Sequence, residues 1–368
     1  MANNNDQDRK SDPAAWRAID AAANRASEAF RVLEDTFRFM LNSRSLTEDI
    51  KQLRHDLAAA LLNVDPIKRV LARNVLSDVG TDLEVKGTLG RCNTQDVIAS
   101  SAARGEQALR SLQEFSALVS PQCGRVFDQL RYRLYTIEQT SRAVVYHQDL
   151  LERIDLCVLV DGGTNETEFY RHITSLFEAG VSMVQIRDKV LDTKSLLDRT
   201  KRAVSIAKQF SAIVIVNDRA DIALAAGASG VHVGAEDLSV QEAQSMVGLE
   251  KLVGRTTHSA IEATDAQRHR AAYIGVGPCY PSETKPFSQF ATAELLSQVA
   301  NNLSIPVFAI GGMKIDHLES IFATGISRVA VASAITRSSD PATAAKEFLA
   351  RLSRNRERLA NVNRSGAF

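Results

Sequence analysis

YIGVGPCYPSETKP, residues 273–286, joins a short β-branched run to a polar turn. The run Tyr273–Gly277 has small residues set between branched ones, as in a buried strand of a parallel sheet. Pro278 and Pro281 end it, because proline cannot donate to a ladder. Ser282, Glu283, Thr284 and Lys285 then place two hydroxyls, a carboxylate and an ammonium just past the strand's carboxyl end. In α/β folds that end is where ligands bind. Hydroxyls and a lysine there suit a phosphate-like anion. A surface turn with a solvated lysine is the other reading of this loop alone.

Outward from this stretch, strand and helix patterns alternate from Ile154 onward. Strands are expected at Ile154–Val160, Met183–Arg187, Ile213–Asn217, Gly230–Val233, Leu252–Thr257, Tyr273–Gly277, Val307–Ile310 and Arg328–Ala332. Amphipathic helical segments such as Thr193–Phe210 and Ala291–Asn301 fall between them. The fold class is therefore α/β, and even spacing favours a closed TIM (βα)8 barrel over a doubly wound open sheet. Closure brings the residues after each strand to one rim. Arg187 and Lys189 end the second strand, Asn217 and Asp218 the third; Asp237 follows the fourth. Thr256 and His258 end the fifth, Lys285 follows the sixth, Gly311-Gly312 the seventh, and Ser333 ends the eighth. The loops after strands seven and eight make the usual barrel site for one phosphate. Arg187, Lys189 and Lys285 supply enough cations for a second, more highly charged group, and Asp218 with Asp237 are hard oxygen ligands suited to Mg²⁺. A monophosphate and a diphosphate together suggest displacement of pyrophosphate.

The rest of the chain has another character. At 368 residues two domains are expected, here 1–150 and 151–352. The first reads as all-α, with helices over Pro13–Leu41, Leu46–Leu62, Asp96–Leu118 and Cys123–Leu150. On the first, Ile19, Ala22, Ala26, Phe30, Leu33, Phe37 and Met40 mark an apolar face. Arg25-Ala-Ser-Glu-Ala-Phe-Arg-Val-Leu-Glu-Asp35 aligns with Arg104-Gly-Glu-Gln-Ala-Leu-Arg-Ser-Leu-Gln-Glu114, and Gln52–Leu57 with Gln129–Leu134. An offset of about 78 residues at both places reads as a duplicated helical hairpin whose copies bury each other's apolar faces. Between the copies, Asp78-Val-Gly-Thr-Asp82 and Lys86-Gly-Thr-Leu-Gly-Arg-Cys-Asn93 could wrap a phosphate with backbone amides or serve as a plain connector. No Walker loop is present. Residues 353–368 are expected to be frayed helix and disorder.

Composition sets the outer limits. A formal net charge of +0, with 45% hydrophobic and 24% charged residues, argues against a general nucleic-acid or membrane-surface role. Four cysteines without CxxC spacing point to a reducing compartment and no zinc site. The polar start MANNNDQDRKSD and the lack of a long apolar run predict a cytoplasmic protein without anchor. Oligomeric state stays open, a homo-oligomer included.

Several motifs carry a resemblance. Val184-Gln-Ile-Arg-Asp-Lys189, Val216-Asn-Asp-Arg219, Gly230-Val-His-Val-Gly-Ala-Glu-Asp237, Thr257-His-Ser259, Tyr273–Pro286, Ala309-Ile-Gly-Gly312 and Val331-Ala-Ser-Ala-Ile335 follow one another as they do in thiamine phosphate synthases. The second half, from about Ile154 to Leu352, resembles that family. Asn24-Arg25-Ala-Ser-Glu28, Arg31, Glu34-Asp35 and Asp78-Val-Gly-Thr81 resemble the helical domain fused ahead of it in some bacteria, associated with hydroxymethylpyrimidine phosphate kinase activity. The resemblance implies that Gln185, Ile186, Arg187, Asp188, Lys189 and Asn217 hold an aminopyrimidine diphosphate. It implies that Asp218 and Asp237 bind Mg²⁺, that Thr256 contacts the pyrimidine and that Lys285 grips the diphosphate. Ser282, Glu283, Thr284, Gly312, Ala332 and Ser333 would hold the thiazole phosphate. Arg187, Lys189, Thr256 and Lys285 are the expected catalytic set for a dissociative reaction: diphosphate leaves, a pyrimidine methyl cation forms, and the thiazole nitrogen captures it. Three mild departures stand out: Arg255-Thr256 in place of a small or apolar residue and serine, Ser282 for threonine, and Ala332 for a bulkier residue. A related isomerase, thiazole tautomerase, is the rival within the fold, and a non-catalytic dimerisation module is the rival for the first half. For that half, ATP is the expected cosubstrate and Arg25, Arg31, Asp78 and Asn93 are the residues to test.

Overall fold

The computed structural model describes residues 13–74, 90–119, 121–163, 165–281 and 289–365. The chain divides into two compact units, Met1–Val145 and Tyr146–Phe368.

The first unit is helical, with α1 (Pro13–Asp35), α2 (Arg44–Leu62), α3 (Pro66–Leu71), α4 (Thr94–Val119) and α5 (Pro121–Leu151), the division from the second unit falling within α5. Its core takes Ile19, Phe30 and Leu33 from α1, Leu46, Ile50, Leu53 and Leu57 from α2, and Ile98, Leu109 and Leu112 from α4. Phe127, Leu130 and Leu134 of α5 complete it. Fully burying each side chain of this size contributes roughly 1.5–3 kcal/mol. The two helices that the internal repeat aligns, α1 and α4, pack along one another. Gly105, the counterpart of Ala26 in the repeat, sits where a Cβ would stand 2.9 Å from Leu134 and 3.1 Å from Phe30. That is tight contact, and it accounts for the absence of a side chain.

The expected helix over Pro13–Leu41 is not uniform. Residues Thr36–Met40 form a π turn, with Leu41 N–H donating to Thr36 O at 3.1 Å. The extra residue in that turn re-phases the helix. Phe37 and Leu41 face the core, whereas Met40, expected on the apolar face, is 58% exposed.

In the second unit eight parallel strands close in sequence order: β1 (Leu156–Val160), β2 (Met183–Ile186), β3 (Ile213–Asn217), β4 (Gly230–Val233), β5 (Leu252–Thr257), β6 (Tyr273–Val276), β7 (Val307–Ile310) and β8 (Arg328–Val331). β8 pairs back onto β1, with Cys157 opposite Ala330. The helices α6 (Glu166–Glu178), α7 (Thr193–Gln209), α8 (Ala220–Ala226), α9 (Val240–Val247), α10 (Ala260–Arg268), α11 (Ala293–Asn302), α12 (Leu318–Phe322), α13 (Ser333–Thr336) and α14 (Pro341–Ser365) follow the strands. Side chains alternate across the wall. Val158, Val184, Val214, Val231, Val253, Ile274 and Val329 face the helices. Cys157, Met183, Ile215, Leu252, Tyr273 and Phe308 fill the barrel. Polar residues start the outer helices: Asn165 accepts from Thr167 and Glu168 N–H, Asp192 from Lys194 and Ser195, and Ser239 makes a capping box with Glu242.

The tail corrects an expectation. In place of disorder from Ser353, α14 continues to Ser365. Leu352 and Asn355 are buried, and Arg356 donates to Asp155 Oδ1 at 2.9 Å and to the Glu152 carbonyl. The arginine-rich composition that suggested fraying hides this one buried face.

Candidate active site

The carboxyl ends of β2 to β5 bring together a cluster of charged and hydroxyl groups. Lys189, exposed beyond β2, reaches Asp218 Oδ2 at 3.5 Å. Asp218 follows β3 with φ +62°, a left-handed backbone that non-glycine residues seldom adopt, and its N–H donates to the His232 carbonyl at 2.8 Å. Burial, and then the neighbouring Asp237 carboxyl, push the Asp218 carboxyl above its usual range, while Lys189 opposes the shift. Two carboxylates so close repel each other when both are ionised. Asp237 is held in place by the Gly234 N–H at 2.7 Å. The loop that carries it is pinned from β5 by Arg255, which donates to the Gly234 carbonyl at 2.6 Å and the Leu238 carbonyl at 3.3 Å. The unusual residue before Thr256 therefore braces the Asp237 loop.

The barrel interior supports the cluster through a chain of hydrogen bonds. His232 lies fully inside, with Nδ1 3.2 Å from the Tyr273 hydroxyl and Nε2 2.8 Å from Thr256 Oγ1. Burial, with help from Arg255, holds the imidazole down at about 4, so at neutral pH the ring carries one proton. Burial keeps the Tyr273 phenol protonated, and Gln185 bonds to its oxygen. The network assigns the polarity: Gln185 N–H to Tyr273, Tyr273 O–H to Nδ1, and Nε2–H to Thr256. The Thr256 hydroxyl keeps its own proton to donate. His232 and Tyr273 did not figure among the expected site residues. Their signal was the period-two pattern in Gly230-Val-His-Val, which sends His232 inward between Val231 and Val233.

Other expected residues take different positions. Ile186 packs with the outer layer between strands and helices, so only its backbone can face the rim. The Asp188 carboxylate is committed to the N–H groups of Gly162, Val190 and Leu191 at 2.7–2.8 Å, and ties the β1 and β2 loops together. Arg187 is half-buried, its N–H donating to the Val160 carbonyl at 2.8 Å, and Asn217 closes β3 opposite His232. His258 Nδ1 meets the Gly277 carbonyl at 2.5 Å. Gly312 has φ +63°, and a Cβ there would stand 2.4–2.5 Å from the Pro281 and Tyr280 carbonyl oxygens. Cys279 N–H to Ile310 O at 2.9 Å and Tyr280 N–H to Gly311 O at 3.0 Å lock the loops after β6 and β7 together. Ala332 and Ser333 open α13 directly after β8, both half-buried. Ser282, Glu283, Thr284 and Lys285 lie outside the described residues, as does Asp78.

Among the described residues no group of three or more His, Cys, Asp or Glu could hold a metal by itself. The Asp218–Asp237 pair nevertheless fits Mg²⁺. That ion is ordinarily bound by one or two carboxylates, with water and substrate phosphate completing its shell, and a cation would relieve the repulsion between them.

In the helical unit Asn93 caps α4, its Oδ1 accepting from Asp96 N–H at 2.9 Å. Arg25 and Arg31 are exposed on α1. No helix among the described residues is long and apolar enough to cross a membrane.

Comparison with known proteins agrees with the barrel fold. Residues 156–335 match the family described as thiamine monophosphate synthase, and residues 17–140 match the ThiD2 family. A thiamine-phosphate synthase of Rhodopirellula baltica is 37% identical over 328 residues, covering 87% of this chain and 88% of its own. One from Synechocystis is 34% identical over 338 residues, covering 92% and 96%. Among solved structures, a thiamine phosphate pyrophosphorylase from Pyrococcus furiosus superposes with a TM-score of 0.50 and 26% identity, covering 55% of this chain and 96% of that one. The chain belongs to the thiamine-phosphate synthase family of transferases, with a ThiD2 unit ahead of its barrel.

Proposed function

We propose that the barrel joins an aminopyrimidine methyl diphosphate to a thiazole ethyl phosphate, giving thiamine phosphate and pyrophosphate. The observation that carries this reading is the Lys189–Asp218–Asp237 cluster at the rim. A cation-binding carboxylate pair next to a lysine serves a diphosphate leaving group, and an isomerase acting on one monophosphate has no use for it. Asp218 and Asp237 would hold Mg²⁺, whose charge, when bound, favours diphosphate as a leaving group. Arg187 and Lys189 stabilise the negative charge that develops as the methylene C–O bond breaks. The Thr256 hydroxyl, polarised through His232, donates to the pyrimidine and orients it. The thiazole nitrogen then forms the new C–N bond, with Gly312 and Ser333 on the side that receives its phosphate.

For the helical unit the reading is phosphorylation of the pyrimidine monophosphate by ATP, which would supply the barrel's substrate. Its support is the ThiD2 match over residues 17–140. The test gives the full-length protein ATP, Mg²⁺, the pyrimidine monophosphate and the thiazole phosphate. Thiamine phosphate should form, and only when ATP is present. A protein that uses the ready-made diphosphate but never the monophosphate would reduce the helical unit to an accessory role.

A further inference from the structure

The helical unit carries a groove of about 550 Å³ between α1 and α2. Two of its lining residues, Glu28 and Arg31, belong to the α1 motif; Arg54 and His55 come from α2. Beneath them Glu34, only 7% exposed, accepts from Arg54 Nε at 2.8 Å and lies 3.9 Å from Arg31 Nη1. A buried carboxylate thus orients two guanidinium groups from different helices. The Glu34 bond engages the Arg54 Nε–H, and the same side chain lines the groove. Against Glu34 the two arginines leave one positive charge, which Glu28 in the same groove offsets; their forked geometry is what suits a phosphate. Val32 and Leu61 add apolar surface to the same groove, and Glu28 an acceptor.

We propose that this groove binds a phosphomonoester, with Arg31 and Arg54 on the phosphate and the rest of the ligand lying over Val32 towards Glu28. The ligand class is a phosphorylated flat ring that bears a hydrogen-bond donor. The pyrimidine monophosphate of the kinase reading belongs to that class, so the identity of the natural ligand rests on that reading. The counterpart surface in the repeat lacks the same set, because Glu34 aligns with Gln113 and His55 with Tyr132. The second copy keeps the arginines, as Arg110 and Arg131, so what belongs to the first copy alone is the carboxylate that orients them.

The test is arginine-selective labelling of the full-length protein with phenylglyoxal, read residue by residue by mass spectrometry. The probe is the aminopyrimidine monophosphate, with sulfate as the comparison anion. Arg31 and Arg54 should be protected by the monophosphate, while Arg44, exposed on α2, labels unchanged. Arg31→Gln should raise the concentration needed to protect Arg54 about tenfold, the loss of one charge-assisted contact. Arg31 is largely exposed and its pairing is long, so this variant keeps its fold where Arg54→Gln would strand Glu34. No protection, or equal protection by sulfate that Arg31→Gln leaves unchanged, overturns the proposal. ATP-dependent turnover of the monophosphate without protection would leave the kinase reading standing and place its site elsewhere. Protection without turnover would do the reverse.

Discussion

The two units handle polar side chains in opposite ways. In the barrel, Lys189, Asp218, Asp237 and Thr256 come from four different strand–loop units, yet closure gathers them at one rim. In the helical unit, Arg25, Glu28 and Arg31 are neighbours on one helix, and adjacency alone does not say which of them share a site. There the organising element is an ion pair between buried Glu34 and half-buried Arg54. A barrel tells the reader where to look before any residue is identified. A helical bundle does so only once its inter-helix pairs are known.

The largest test of this contrast is Asp218→Ala. Coupling of the ready-made diphosphate should fall by at least about a hundredfold, as for loss of a preorganised electrostatic contact, with the far-ultraviolet circular dichroism unchanged. The ATP-dependent step proposed for the helical unit, assayed by ADP release, should be untouched. If both activities fell together, the two units would not be separable in function.

Next is the hydrogen-bond chain within the barrel. Thr256→Val should lower kcat/KM by about tenfold, and Tyr273→Phe by somewhat less, since each removes a hydrogen bond or its polarity. The double variant should be no worse than Thr256→Val alone. Additive losses would mean that Tyr273 and Thr256 act independently.

A pH experiment sharpens the helical side. Glu106 faces Glu138, its Oε1 is buried without a hydrogen-bond partner, and Arg131 and Arg142 stand nearby. Burial first, then Glu138, raise its carboxyl to about 7 from an ordinary 4.5. Between those values the folded chain holds a proton that the unfolded chain has released. Its stabilising contribution is complete below the lower value and is lost as pH rises through the higher one. The thermal midpoint of the helical unit should therefore fall between pH 5 and 7, and Glu106→Gln should flatten that slope. An unchanged slope in the variant would assign it to another group.

The smallest effect is expected at the tail. Arg356→Ala should cost no more than about 1 kcal/mol in urea unfolding, because its partner Asp155 keeps Arg328 nearby and the arginine is partly exposed. A much larger loss would make the last helix a principal clamp on the barrel's lower end.

Much of this was legible in the sequence because it follows from periodicity. Eight β-branched runs with helical stretches between them predicted both the closed sheet and the rim positions of Asp218, Asp237 and Thr256. What stayed hidden depends on hydrogen-bond partners and local helix geometry that periodicity does not carry. Asp188 stands among the expected site residues in Gln-Ile-Arg-Asp-Lys, and the motif does not show that its oxygens accept from Gly162, Val190 and Leu191. Asn93, one of the residues to test in the helical half, also caps α4 through its Oδ1. Met40 kept the helical spacing and lost its burial to the π turn over Thr36–Met40, whose extra residue passes the buried position on to Leu41. The tail misled because composition averages over a helix whose one buried face is narrow.

The locked backbones after β6 and β7 bear on how this protein can vary. A Cβ at Gly312 would strike the carbonyls of Tyr280 and Pro281, immediately before Ser282. A side chain at 312 would thus be felt first at the root of the segment that leads to Lys285. The two loops are separate in sequence but share one tolerance for change. Over many generations they should drift as a single unit, an alteration in one surviving only where the other has already made room.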